Sequence, residues 1–278
     1  MKPAWTFAPG GAIWRVHPAV AGRIVGEERD LEQRRVTFFA LDFPSGAPVW
    51  RGLSVDEPWW TGIERVEGEL LFIHGFVSPD LPMHRGITVV DIPGGAILWS
   101  NPLWTLDTVT GDRVTVLGDQ RSGQGMMAVD ARTGDVLEEL QSESSSPGQD
   151  RSSHGEDPRW WQSVAFPGPA SVEELSAHTP AALLFTRWGG DAIVGEVEVL
   201  DRSPLLIASA AVRRKGLRAE TIEHALLIVD QTKKKVVHDV ILARNARGAV
   251  MDAFFVQEGV LVYVVEGRML CGVRLVDA

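Results

Sequence analysis

A short pattern recurs along the chain and limits, more than any other feature, what it can fold into. An apolar residue and an aspartate precede a small-residue turn with glycine, and a second apolar run follows that often ends in tryptophan. Full copies occupy residues 41–50 and 90–99, and shorter copies begin at Val129 and at Val229, the last without its glycine. Self-similarity of this kind indicates a repeat architecture.

Each copy of the pattern predicts a β-hairpin. Runs rich in β-branched and aromatic residues, 37–41 and 86–90, precede the first two turns. The aspartate side chain accepts N–H bonds within the turn, and glycine allows a positive φ. Trp50 and Trp99 each follow their aspartate by eight residues and offer flat surfaces that pack between neighbouring sheets.

The spacing of the copies predicts four-stranded blades. Successive pattern aspartates at 42, 91, 130, 230 and 277 are 49, 39, 100 and 47 residues apart, and a period near 40–50 is typical of propeller blades. The long interval holds either two blades or one blade and an insertion. We favour the insertion, because residues 141–158 form a polar run and Ser171 with Glu174 matches a helix-capping pair.

The two ends of the chain carry the halves of one further copy. Residues 275–278 resemble its beginning, and residues 9–14 resemble its turn and second strand. Pairing the ends in this way removes open sheet edges. The sequence therefore predicts an all-β fold, a β-propeller of about five four-stranded blades with six as the alternative. Its ring is closed by the N- and C-terminal strands, and a short helical insertion lies near 165–180.

Composition restricts the domain organisation and the partners. A propeller of this size forms one domain, so residues 1–278 are predicted to be a single domain, with 141–180 as the loop and helix insertion. The net charge of −10 argues against nucleic acid and anionic membranes, which require clustered basic residues. The one basic cluster, Lys233 to Lys235, is interpreted as a solvated turn.

Location and cofactors follow from what the sequence lacks. No apolar run approaches the ~18 residues of a membrane helix, and the first residues break early into a Pro-Gly-Gly turn unlike a signal peptide. We therefore expect a cytoplasmic protein. The single cysteine, Cys271, lies in an apolar run and is interpreted as structural. No phosphate-binding glycine loop or acidic metal loop occurs, so no cofactor and no metal is predicted.

Two resemblances accompany these predictions. The hairpin pattern resembles the widespread quinoprotein-like repeat. More closely, the chain resembles an uncharacterised bacterial family, the domain of unknown function DUF4905. Three groups of segments carry that resemblance: residues 24–30; residues 58–62 with 81–86; and residues 225–230 with 252–255. The resemblance implies a propeller-like fold and no known activity, and it supplies no catalytic residues.

The candidate site residues come from blade geometry. In a four-stranded blade, the loop between the second and third strands emerges on the same face as the connection between blades. Trp59 and Trp60 stand in such a connection, and His74, Asp80 and His84 flank such a loop. We therefore expect these five side chains to lie on one rim.

A second connection repeats the first. It contains Trp160 and Trp161, with His154 a few residues before them, and it is expected on the same face. Two tryptophan pairs near histidines and carboxylates suit a small-ligand pocket or a patch for a protein partner. The plainer alternative is that the tryptophans pack the fold and that His74 only satisfies a backbone group. Residues 27–30, Glu-Glu-Arg-Asp, are interpreted as a solvated hairpin rather than a working carboxylate pair.

Three functional hypotheses remain. The favoured one is a non-catalytic binding or scaffold propeller that uses the rim. The alternative is an enzyme, a hydrolase or lyase, in which His74, Asp80 and His84 supply acid–base groups or metal ligands, although their spacing matches no established metal motif. The third is a structural subunit of a larger assembly, which would expose an extended apolar patch.

Overall fold

The computed structural model describes eight parts of the chain: residues 1–78, 81–118, 125–140, 163–176, 182–189, 192–214, 222–246 and 253–275. Its described elements are almost all antiparallel strands. They form two compact units, one of residues 11–162 and the other of residues 1–10 with 163–278. We call these the three-sheet unit and the two-sheet unit. Strand β1 (Trp5–Phe7) opens the chain and belongs to the two-sheet unit.

The three-sheet unit contains three four-stranded sheets, in each of which consecutive strands are neighbours. Sheet I consists of β2 (Ala12–Ala19), β3 (Arg23–Asp30), β4 (Arg35–Asp42) and β5 (Pro48–Leu53). Sheet II consists of β6 (Thr61–Glu67), β7 (Leu70–Ser78), β8 (Leu81–Asp91) and β9 (Ala96–Asn101). Sheet III consists of β10 (Thr105–Thr110), β11 (Arg113–Leu117), β12 (Met126–Asp130) and β13 (Val136–Leu140).

Sheet II is buried on both faces, which explains its unbroken apolar run at residues 70–73. Leu71 and Ile73 pack in the core that sheet II shares with sheet I. Leu70 and Phe72 point the other way, into the core shared with sheet III. Since side chains alternate along a strand, only a continuous apolar run fills both cores.

The predicted hairpin repeat is present, and its tryptophan joins one sheet to the next. Trp50 of sheet I donates its indole N–H to the carbonyl oxygen of Ile92 at 2.7 Å and lies over Gly95 in the turn of sheet II. Trp99 of sheet II makes the same contacts one sheet further on, with Ala131 at 2.9 Å and with Gly134. The predicted packing of these tryptophans between sheets is therefore confirmed.

The turn chemistry of the repeat also follows the prediction. The glycine four residues after the aspartate has a positive φ of 70° at Gly95 and 74° at Gly134, and Lys234 adopts the same region with φ 49° in the copy that lacks glycine. The Asp130 carboxylate accepts the N–H groups of Arg132 and Thr133, which lowers the pKa of Asp130. Lys234 lies in an exposed turn, as predicted for the basic cluster.

The two-sheet unit contains two five-stranded antiparallel sheets and two short helices. In sheet IV the strand order is β15 (Gly168–Ala170), β16 (Ile193–Arg202), β17 (Leu205–Val212), β18 (Ile222–Asp230) and β19 (Lys235–Ala246). In sheet V it is β1, β22 (Met269–Arg274), β21 (Val260–Val265), β20 (Phe254–Gln257) and β14 (Val164–Ala165). The helices are α1 (Val172–Ser176) and α2 (Ala182–Trp188).

Sheet IV lies between the helices and sheet V. Leu184 and Trp188 of α2 pack with Ala208 and Leu227 on one face, and Ile207 with its neighbours packs against sheet V on the other. Between the pattern aspartates 130 and 230, the described residues form β13 of sheet III, β14 of sheet V, the two helices, and the strands β15 to β18 of sheet IV, whose last strand β19 follows Asp230.

The insertion differs in detail from the prediction. The capping pair is present, since Ser171 Oγ accepts the N–H of Glu174 and the Glu174 carboxylate accepts the N–H of Ser171. However, residues 164–170 add two edge strands rather than helix, and a second helix follows beyond residue 180. Edge strands of two or three residues do not carry the repeat pattern, so the sequence does not predict them.

The ends of the chain pair, but not through the residues that predicted the pairing. Strand β1 lies antiparallel to β22, with Trp5 opposite Gly272 and its indole ring over that glycine. The expected half-repeat at residues 12–14 instead begins β2 and pairs with β3. Residues 276–278 lie outside the described part of the chain.

Candidate functional site

The described candidate residues gather at one end of sheet II. Trp59 and Trp60 directly precede β6, while His74 and His84 lie in β7 and β8. Phe76, which no sequence signal selected, is the cross-strand partner of His84. It meets Trp60, His74 and His84 edge to face, at ring-centroid distances of 6.4, 4.9 and 5.2 Å.

The two histidines are in direct contact. Their ring centroids are 3.6 Å apart and their planes differ by 13°. Trp59 continues the aromatic series, since its ring lies 6.5 Å from that of Trp60. The structure therefore brings together four of the predicted residues: Trp59, Trp60, His74 and His84. The other four, Asp80, His154, Trp160 and Trp161, lie outside the described residues.

His74 is a buried, neutral imidazole. Its side chain is 5% exposed, and Nδ1 lies 3.1 Å from the carbonyl oxygen of Gly75. Because a carbonyl oxygen only accepts, Nδ1 carries the proton and Nε2 keeps its lone pair. Burial lowers the pKa of His74 from 6.5 to about 4. The Gly75 contact opposes this shift, and the positive charges of His84, Arg15 and Arg29 add to it.

Glu64 joins the histidine pair through a β-bulge. It is the extra residue in the register shift between Ile63 and Arg65, and bulges commonly redirect a side chain. Its Oε2 lies 2.6 Å from Nδ1 of His84. One ligand atom each from Glu64, His74 and His84 lies within 4.8 Å of the others. The sequence predicts Asp80 as the acidic member of this cluster and gives no signal for Glu64.

A buried ion pair lies beside this cluster and corrects one prediction. Residues 27–30 are not a solvated hairpin, because Glu27 is 1% exposed and bonds Nε of Arg29 at 2.6 Å. Glu27 also accepts the backbone N–H of Ile63 at 3.1 Å, and Arg29 donates to the carbonyl oxygen of Thr61 at 3.0 Å. The sheet I strand β3 thus supplies charged groups to the end of sheet II.

Gly62 makes room for this arrangement. A Cβ atom at Gly62 would lie 3.0 Å from Oε2 of Glu27, 3.1 Å from Nε2 of His74 and 3.7 Å from Nη2 of Arg29. Any larger residue would therefore crowd the Glu27 carboxylate and the His74 ring. The glycine is the cross-strand partner of His74, a relation that only the strand register reveals.

Arg29 also connects the ion pair to the tryptophans. Its guanidinium carbon lies 4.9 Å from the ring centroid of Trp14 and 5.3 Å from that of Trp59, distances typical of cation–π contacts. Trp14 is 59% exposed and occupies a bulge in β2. We use the name aromatic rim for Trp14, Trp59, Trp60, Phe76 and His84.

These groups permit two kinds of chemistry. A carboxylate against an imidazole orients the ring and its proton, as in acid–base dyads. Two imidazoles and a carboxylate are also common ligands of Zn²⁺ and of other first-row metals. The exposed Trp14 and the half-buried Trp59, with an arginine stacked on both, are instead typical of partner contacts.

Cys271 takes no part in this site. It is 1% exposed, and burial raises the pKa of its thiol to about 11 despite a hydrogen bond with Tyr263. It stays a protonated, buried thiol at neutral pH, which agrees with the structural role predicted for it.

Comparison with known proteins finds a family similarity over part of the chain. Residues 20–99 match the model of the domain of unknown function DUF4905, and they include the first two groups of segments that carry the resemblance. The third group, residues 225–230 with 252–255, lies outside the match. No curated protein matches the chain.

Solved structures give distant likenesses. A DUF4221 family member from Bacteroides vulgatus is 8% identical, with 96% of this chain and 94% of that one covered and a TM-score of 0.34. The Cps50 (Swd1) β-propeller domain of Myceliophteria thermophila is 11% identical, with 98% of both chains covered and a TM-score of 0.34.

A larger protein is also similar. The acylaminoacyl peptidase of Pyrococcus horikoshii is 10% identical, with a TM-score of 0.29 and 94% of this chain covered. The chain spans about a third of that peptidase, 36% of its length. Likenesses this weak carry no argument about activity. Within the described residues, no helix is long and apolar enough to cross a membrane.

Proposed function

We propose that the five sheets are the blades of one β-propeller that spans residues 1–278 as a single domain. Two features support this. Consecutive strands are neighbours in sheets I–III, and Trp50 and Trp99 join each sheet to the next. The pairing of β1 with β22 would close the ring. Small-angle X-ray scattering tests it: one compact particle is expected, and two separated masses would overturn the proposal.

The function that we propose is non-catalytic binding of a protein partner at the aromatic rim. The observation that carries it is the exposure of Trp14, at 59%, together with its link through Arg29 to Trp59. Tryptophan and arginine are among the residues most enriched at binding hot spots.

The rim is rigid enough to serve as a preformed contact surface. Arg29 is fixed by Glu27 and by the carbonyl oxygen of Thr61, so its stacking on the two tryptophans costs little entropy on binding. The edge-to-face series through Trp60 and Phe76 restrains the neighbouring rings. A peptide carrying apolar side chains would bury them here against ordered aromatic surfaces.

A random peptide library displayed on phage, selected against the immobilised protein, tests this function. We expect enriched peptides whose affinity falls at least about thirtyfold with Trp14→Ala and with Trp60→Ala, which is the effect of losing a ~2 kcal/mol hot spot. Trp59 is left intact, because it also packs against the core between sheets I and II. Circular dichroism confirms that each variant is folded.

Leu137→Ala is the matched control, because Leu137 is 53% exposed in sheet III and lies outside the aromatic rim. Its affinity for the selected peptides should equal that of the unmodified protein. The proposal fails if no peptide is enriched above the uncoated surface, or if the enriched peptides bind both rim variants as tightly as the control.

A hydrolase or lyase is the second candidate, favoured by the convergence of Glu64, His74 and His84. Such chemistry at a neutral buried imidazole would use a metal-bound water as nucleophile or base. This candidate therefore requires that the three residues bind a cation.

A further inference from the structure

We propose that Glu64, His74 and His84 bind one divalent first-row transition-metal cation, through one carboxylate oxygen and two imidazole nitrogens, with a coordination position left for solvent or substrate. The inference goes beyond the partner-binding function and does not depend on it. Its starting point is that the three ligand atoms lie within 4.8 Å of one another, close to the separations found between ligands of one ion.

The short contact between Glu64 and His84 marks a position where a metal could replace a proton. Oε2 of Glu64 is sealed from solvent and lies 2.6 Å from Nδ1 of His84, the distance of a short charge-assisted hydrogen bond. At that distance a proton lies between the imidazole nitrogen and the carboxylate oxygen. A bound metal would take the place of that proton.

His74 has the outer contact of a metal ligand. Histidine ligands usually donate their second N–H to a carbonyl or a carboxylate, which fixes the tautomer and the ring. Nδ1 of His74 does this with the carbonyl oxygen of Gly75 at 3.1 Å, so Nε2 is the nitrogen available to a metal.

Metal binding requires one local movement. Imidazole lone pairs lie in the ring plane, so two rings whose planes differ by only 13° must tilt apart to point at one ion. His74 is held by burial and by Gly75, whereas the His84 side chain is 35% exposed and has more room to rotate. Binding should therefore unstack the histidines and lengthen the contact between His84 and Glu64.

The nearby charges favour moderate affinity. Arg15 and Arg29 act on His74 as positive charges and oppose a cation, while Glu27 and Glu64 offset them. The ligand set of two imidazoles and one carboxylate suits Zn²⁺ and Co²⁺ and does not suit Ca²⁺ or Mg²⁺, which prefer oxygen ligands. We expect one Zn²⁺ per chain with a Kd of about 1–10 µM, or roughly −7 to −8 kcal/mol.

Calorimetric titration of the EDTA-treated, dialysed protein with ZnCl₂ tests the inference, with CoCl₂ as an optical probe. Tetrahedral Co²⁺ should give visible d–d absorption. Glu64→Gln, which has the same shape, and His84→Ala, at a half-exposed position, should each weaken Zn²⁺ binding about a hundredfold and abolish the Co²⁺ band. Mg²⁺ and Ca²⁺ should give no heat of binding.

Glu67→Gln is the matched control, because Glu67 lies on the same strand β6 and pairs with exposed Arg65. It should bind Zn²⁺ like the unmodified protein. Absence of binding below ~100 µM Zn²⁺, or equal affinity in Glu64→Gln and the control, would overturn the inference. Because Glu64 is not part of the aromatic rim, Glu64→Gln should still bind rim-selected peptides, so the two proposals fail separately.

Discussion

Glu27→Ala is expected to lower the free energy of unfolding by about 3–5 kcal/mol, the usual cost of removing one partner from a buried ion pair. The substitution leaves the Arg29 guanidinium, whose side chain is 14% exposed, without its carboxylate in a largely buried site. It also deprives the Ile63 N–H of its acceptor. Urea unfolding followed by tryptophan fluorescence measures the loss, with the slope on urea concentration compared between variants.

The exposed pair of Arg65 and Glu67 provides the control for this prediction. Glu67→Ala breaks an ion pair of 2.9 Å whose arginine is 45% exposed, and it should cost about 0–1 kcal/mol. The double substitution Glu27→Gln with Arg29→Met should recover part of the loss, because no isolated charge remains buried. Equal costs for Glu27→Ala and Glu67→Ala would show that Glu27 is not buried as an ion pair.

Gly95→Ala should destabilise the protein by about 2–5 kcal/mol. Its φ of 70° lies in the left-handed region, which costs a residue with a Cβ about 1–2 kcal/mol. The new Cβ would also lie 2.7 Å from Cγ of Trp50, and crowding of this kind adds about 1–3 kcal/mol. The indole has little freedom to retreat, because its N–H is bonded to the carbonyl oxygen of Ile92.

Two further variants separate the free-energy cost of a positive φ from the cost of crowding the Trp50 indole. Gly111 has a φ of 59°, and no described atom lies within 4 Å of the position that a Cβ would take there. Gly111→Ala should therefore cost only about 1–2 kcal/mol. In a Trp50→Ala background, the cost of Gly95→Ala should fall to the same value, which a double-mutant cycle detects as coupling. Additive effects of Gly95→Ala and Trp50→Ala would contradict the packing of tryptophan on glycine.

The parts of the fold that sequence predicted are those encoded locally. Aspartate, glycine and tryptophan stand at fixed offsets in each hairpin, so turn and inter-sheet packing follow from a single copy such as residues 90–99. The grouping of Trp60 with His84 also followed from chain order, because a blade brings the preceding connection and the β7–β8 loop to one end.

The parts that sequence did not predict depend on register. Glu64 reaches His84 because of a bulge. The residues around Glu64 predict neither the bulge nor the direction in which it turns the side chain. Glu27 looks like one member of an exposed charge run, and its burial arises from contacts with Arg29 and Ile63, the latter 36 residues further along. The need for glycine at position 62 follows only from the side chains that surround it in the fold.

The pairing of strand β1 determines when sheet V can be completed during synthesis of the chain. Trp5 is synthesised 267 residues before its partner Gly272, an interval of roughly 13–53 s at typical elongation rates. During that interval the residues of β1 have no strand to join, although all of sheets I–III has emerged. The apolar residues Trp5 and Phe7 can therefore be buried in sheet V only after its last strand has been synthesised.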